Sequence, residues 1–201
     1  KREAVLQQIK AKCNEKYKRD LEADVKSETS GTLRKLLIAL LQGGRSTNTM
    51  PDPSRCAQIA EEIYKAGEAK LGTDESVFNK YFCTLSPHEL AAVAKEYHKL
   101  TQHTILQAID KEFSGDSKKA LRTIVYATLS PSEYFATRVN DAVKGLGTKD
   151  HLLIRAIVTR SEIDMPQIKQ YYKQLFGKDM YEDVKNDISG EYRTLLLGII
   201  G

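Results

Sequence analysis

The chain repeats itself at a spacing of 75 residues, and few features constrain a fold more. Lys70-Leu71-Gly72-Thr73 returns as Gly145-Leu146-Gly147-Thr148, an offset of 148 − 73 = 75. The same offset carries Glu112-Phe113-Ser114-Gly115 onto Asp187-Ile188-Ser189-Gly190, Tyr97 onto Tyr172, Val93 onto Ile168, Thr84 onto Thr159 and Leu121 onto Leu196. A third, partial copy is Glu28-Thr29-Ser30-Gly31 followed by the helical run Leu33 to Leu41, which aligns with Glu112 at 112 − 28 = 84. The surplus over 75 falls in residues 43–53, a stretch rich in Gly, Ser, Thr, Asn and Pro that reads as a linker. The chain therefore holds the end of one repeat (1–42), the linker (43–53) and two whole repeats (54–129 and 130–201). Lys1 is not an initiator methionine, and the Gly-Thr loop of the first copy would lie before it.

Within each copy the punctuation is helical. Asp52-Pro53 reads as an N-cap with proline at the first helical position. Ser86-Pro87-His88-Glu89 and Ser130-Pro131-Ser132-Glu133 both fit capping boxes, and Asp164-Met165-Pro166-Gln167 is a looser version. Leu90, Val93, Ala94 and Tyr97, and again Leu153, Ile154, Ile157 and Val158, fall at helical spacing, whereas no alternating strand pattern is found. The expectation is an all-α protein of short helices stacked repeat on repeat.

Composition removes several function classes. Charged residues make up 29% and hydrophobic residues 41% of 201, an ordinary globular mixture. The net charge of +4 is spread along the chain without a polybasic block, so no nucleic-acid partner is expected. Three cysteines without a Cys-x-x-Cys pair suggest buried or idle thiols in a reducing compartment. Apolar runs such as Leu195 to Ile200 are too short to span a bilayer. His88, His98, His103 and His151 have no metal-enzyme spacing, Gly145-Leu146-Gly147 lacks the third glycine of a dinucleotide loop, and no Walker A loop occurs. No enzymatic site is expected.

What remains is the pair of landmarks that recur together. Two glycines two apart let the loop 143–148 turn sharply and aim carbonyl oxygens inward, where they could serve a hard cation. Asp187 lies 187 − 148 = 39 residues beyond Thr148, and Glu112 lies 112 − 73 = 39 beyond Thr73. The recurring acid, Glu28, Glu112 and Asp187, allows two readings: an N-cap for the helix that follows, or the charged ligand of a cation held by the distant loop.

The Gly-x-Gly-Thr loop with its acid 39 residues on resembles the type II calcium site of the annexins. Gly145-Leu146-Gly147-Thr148, then Thr159 to Asp164, then Asp187-Ile188-Ser189-Gly190-Glu191-Tyr192, resembles the fourth annexin repeat, and Ala66 to Glu75 resembles the third. The likeness covers essentially the whole chain. It implies about five short helices per repeat, with the calcium loops on one convex face. It implies Ca²⁺ ligands at the carbonyls of Val143, Gly145 and Gly147 with the carboxylate of Asp187, and at the carbonyls of Gly67, Lys70 and Gly72 with that of Glu112. Thr73 with Glu75, and Thr148 with Asp150, would be accessory ligands; Lys149 replaces the usual acid and weakens the latter pair. Glu28 has no partner loop in this sequence.

The implied function is calcium-dependent binding to acidic, phosphatidylserine-like membranes, on which self-association is allowed for, by a cytoplasmic protein that becomes peripheral to membranes when calcium rises. Leu71 and Leu146 at the loop tips, and Lys144, would contact the membrane; the alternative for the leucines is local packing. Arg155 and Asp164 match positions near the family's central hydrophilic channel and are read as interhelical ion-pair partners. The competing reading of the whole is a helical scaffold for protein–protein interaction with degenerate calcium loops.

Overall fold

The computed structural model describes residues 2–201. Among them are thirteen helices and no strand: α1 (Arg2–Tyr17), α2 (Leu21–Glu28), α3 (Gly31–Leu41), α4 (Pro53–Ala66), α5 (Glu75–Thr84), α6 (Pro87–Thr101), α7 (Ile105–Glu112), α8 (Gly115–Leu129), α9 (Pro131–Val143), α10 (Asp150–Val158), α11 (Met165–Phe176), α12 (Met180–Asp187) and α13 (Gly190–Ile200). Among the described residues no helix is long and apolar enough to cross a membrane. The chain divides into two units, one ending at Leu129 and the other Ser130–Gly201.

In the first unit, α4 to α8 enclose a core of Ile59, Ile63, Phe78, Phe82, Leu90, Val93, Tyr97, Ile109, Leu121 and Val125, and Leu36 of α3 is buried in the same cluster. Residues 1–42 therefore do not stand apart from the bundle that follows. Phe78 is fully buried, meeting Phe82 edge-on at 5.8 Å between centroids and Phe113 at 5.0 Å. The second unit repeats this plan with α9 to α13 around Val139, Leu153, Ile157, Ile168, Tyr172, Val184 and Leu196. The equivalent tyrosines, Tyr97 and Tyr172, are both fully buried. Ile154 and Val158, one step further round α10 than Leu153 and Ile157, remain 40% and 47% exposed. Cys56 and Cys83 are free and buried, and burial pushes the Cys83 thiol up to about 11.

The capping boxes divide. Ser86 accepts from the Glu89 amide at 3.1 Å, and Glu89 accepts from the Ser86 amide at 2.9 Å, as the spacing predicts. Asp52 accepts from the Ser54 amide. Ser130, expected to do the same for α9, makes no side-chain cap. A single residue separates α8 from α9, and its backbone (φ −143°, ψ 71°) departs from the extended cap conformation of Ser86 (φ −64°, ψ 163°). Asp164 does not cap α11 through its side chain either; its carboxylate accepts instead from Arg160 Nε at 2.7 Å and Ser132 Oγ at 2.6 Å. Arg155 makes no ion pair among the described residues, so the expected pairing of these two positions is replaced by Arg160 with Asp164.

Burial by itself would raise the Asp164 carboxyl, but the hydrogen bonds from Arg160 and Ser132 outweigh it and hold the group below its ordinary value. A lowered folded-state value means that the contribution is present above the unfolded-state value, about 3.9, and is lost as pH falls through the folded-state value. Asp164→Asn should therefore lose stability at about pH 6 yet show a smaller drop in urea midpoint between about pH 6 and about pH 3 than the parent chain.

Candidate functional site

In the first unit, α4 ends at Ala66, and the chain passes through 67–74 before α5 begins. The loop is closed at its base by the Asp74 amide donating to the Ala66 carbonyl at 2.7 Å. Asp74 caps α5 by accepting from the Ser76 amide. In the second unit the Lys149 amide donates to the Ala142 carbonyl at 2.9 Å. From closing residue to closing residue the first loop spans 74 − 66 = 8 positions and the second 149 − 142 = 7, so the first carries one extra residue. Gly72 and Gly147 occupy the same turn at φ +79° and +78°, a left-handed conformation that glycine alone adopts without strain.

The distant acids come to these loops. Thr73 Oγ1 donates to Glu112 Oε2 at 2.5 Å, and Thr148 Oγ1 donates to Asp187 Oδ2 at 2.6 Å. Each carboxylate lies at the last residue of its helix, α7 or α12. The alternative of an N-cap fails: the next helices begin after Ser114 and Ser189, Ser189 makes no side-chain cap, and the acids' side chains turn to the threonines. Gly67 is buried hard against the first carboxylate. A Cβ built there would stand 3.0 Å from Glu112 Cγ, 3.1 Å from Glu112 Cδ and 3.1 Å from Phe78 Cζ. Its counterpart in the second unit is Val143, so the requirement for glycine is one of space in the first loop only.

Other expected residues fall into place more loosely. Leu71 and Leu146 are fully exposed at 105% and 108%, which removes the option that they pack locally. Lys144 is exposed. Glu75 and Asp150 open α5 and α10, while Thr73 and Thr148 turn their hydroxyls to the carboxylates. Tyr192 lies near Asp150, and its phenol is pushed up to about 12 by burial and then by that charge. Glu28 borders a polar cavity with Ser30, Arg34 and Asp116 and meets no glycine loop among the described residues. No group of three or more His, Cys, Asp or Glu side chains suited to a metal occurs among the described residues.

One cluster beside the first loop has no sequence signature. Glu68 accepts from Tyr97 Oη at 2.6 Å and Lys111 Nζ at 2.6 Å, and lies 3.0 Å from His103 Nδ1, with its side chain only 9% exposed. Burial acts to raise this carboxyl, but Lys111 and Tyr97 more than offset it and hold it low. Its four members are scattered over 44 positions (111 − 68 + 1), at spacings no motif describes.

Comparison with known proteins agrees with this geometry. The annexin family model matches residues 1–40, 58–124 and 134–199. Human annexin A11 is 43% identical over 185 residues, covering 92% of this chain and 37% of its own length. Annexin III superposes with a TM-score of 0.91 at 36% identity, over 98% of this chain and 61% of that one. Calcium-bound annexin (Sm)1 superposes at 0.84 with 29% identity, over 97% of this chain and 57% of that one. The chain thus spans between about a third and two thirds of the length of these relatives. A matched repeat pattern, a matched fold and the return of each acid to its glycine loop lead to one conclusion: the chain belongs to the annexin family.

Proposed function

We propose that this chain binds Ca²⁺ at two loop–carboxylate sites and, through them, the phosphate of acidic phospholipids at a membrane surface. Calcium-dependent phospholipid binding is the general property of the annexin family, to which the chain belongs. The observation that carries the reading for this chain is the recurrence of one geometry in both units. A threonine at the end of a glycine turn holds a carboxylate that lies 39 residues further along the chain. We read residues 1–42 as the end of one repeat and 54–129 and 130–201 as two more, which the three matched segments support.

In the first site the carbonyls of Gly67, Lys70 and Gly72 with Glu112 would hold the ion, and in the second those of Val143, Gly145 and Gly147 with Asp187. Two features support the fit. The donor set is all oxygen, suited to a hard cation, and Gly67 leaves beside the Glu112 carboxyl the space a Cβ would fill. Three carbonyls and a carboxylate binding through both oxygens would leave about two of the roughly 6–8 positions of Ca²⁺ open and provide a single negative charge. When bound, the ion supplies positive charge and open coordination positions to a lipid phosphate. The protein oxygens alone should therefore bind weakly, and affinity for calcium and for lipid should rise together by linkage. Two sites on one chain add avidity. The exposed Leu71 and Leu146 would rest among headgroups and acyl ends.

Sedimentation with phosphatidylserine vesicles tests the reading. The chain should pellet with them in calcium, stay in the supernatant with chelator, and pellet poorly with phosphatidylcholine vesicles in either condition. Equal pelleting with and without calcium would overturn it.

A further inference from the structure

The two loops differ in what stands directly behind them. In the first unit, Glu68 follows the ligand position Gly67, and Lys111 precedes the ligand position Glu112. Their side chains meet at 2.6 Å, with Tyr97 Oη at 2.6 Å and His103 Nδ1 at 3.0 Å completing the set around the Glu68 carboxylate. The Glu68 side chain is 9% exposed, so this is a shielded carboxylate with three partners rather than a solvated surface pair. It joins the loop half of the site to the helix half through the residues next to each.

The second unit lacks this connection. Counting two positions from the closing residues, Glu68 = 66 + 2 corresponds to Lys144 = 142 + 2. At the offset of 75, Lys111 corresponds to Asn186 and His103 to Lys178. The buried tyrosine is kept, but Tyr172 Oη donates at 2.8 Å to Asp183, a residue of α12 itself, which also meets Lys178 Nζ at 3.3 Å. Nothing there ties the loop to the helix through these positions. Where the first unit has its ion-paired cluster, the second has an open cavity of about 210 Å³ bordered by Lys144, Lys178, Asn186 and Asp187.

We propose that Glu68 and Lys111 are positioning residues that staple the Gly67–Thr73 loop to the Glu112 carboxylate, pre-organising the first calcium site, while the second site must order its loop on binding. The proposal rests on the calcium-site reading above. Outer partners that fix ligands in place commonly contribute about 10–100-fold in metal affinity, and a loop already ordered has less entropy to lose. The first site should thus bind Ca²⁺ without lipid more tightly than the second.

The test isolates the first site in the 201-residue chain by Asp187→Ala and titrates it with Ca²⁺ alone by calorimetry. Circular dichroism confirms that each variant is folded. Glu68→Gln and Lys111→Met should each weaken binding about tenfold or more. The lysine variant is decisive because its sign separates two explanations. Removing a cation beside a Ca²⁺ site strengthens binding if charge alone matters, and weakens it if Lys111 holds the loop. Tighter or unchanged binding in Lys111→Met, with Glu112→Ala abolishing the signal, overturns the staple and leaves the site assignment intact. Persistence of the signal in Glu112→Ala overturns the site assignment, and the staple with it.

Discussion

Replacing Glu112 and Asp187 together by alanine is expected to reduce vesicle pelleting in calcium to the level seen with chelator. These two side chains are the charged ligands of the two proposed sets, whose other members are neutral carbonyls. Losing a charged ligand should cost more than the roughly 10–100-fold typical of an outer-shell partner. Each variant alone should leave one site and a partial signal, because the attachment is shared between sites. The carboxylates also accept from Thr73 and Thr148, so alanine frees two hydroxyls as well. Glu112→Gln with Asp187→Asn retains an acceptor for each threonine and removes only the charge. The same loss of pelleting in that pair, with an unchanged melting temperature, assigns the effect to the missing charge. Undiminished pelleting by either double variant would remove both acids from the mechanism.

Phe78→Ala should be among the most destabilising single changes in the first unit, by about 3–5 kcal/mol. The ring is fully buried and lies edge-on to Phe82 and Phe113. Alanine leaves a void that a helical bundle closes only in part. The effect should reach the proposed calcium site as well. Phe113 adjoins Glu112, and Phe78 Cζ bounds the space around Gly67, so the same ring supports both walls of the site. Urea unfolding should show the midpoint of the first unit falling, while the second, whose core contains none of these residues, keeps its own. A loss below about 1 kcal/mol would mean that the core relaxes around the missing ring.

Much of the fold and of the candidate site is legible in the residues. The offset of 75 and the Ser-Pro-x-Glu and Asp-Pro caps announce short helices in repeated units, because caps and periodicity are local properties of the chain. The capping box at Ser130 fails because one residue joins α8 to α9, and the backbone that makes that turn withholds the cap conformation. Ile154 and Val158 keep helical spacing yet stay exposed, since spacing states which residues share a stripe and not what covers it.

By itself, then, the sequence determined the repeat, the helical class, the glycine turns and the acid that recurs 39 residues after each threonine, since each of these is written in residue type and spacing. It left two uses for that acid, capping or ligation. Only the tertiary structure removed the first of these, by bringing Glu112 and Asp187 to Thr73 and Thr148. It alone also revealed the cluster of Glu68 with Tyr97, His103 and Lys111. The physical reason is that a hydrogen bond acts over about 3 Å in space and takes no account of how many residues separate its ends.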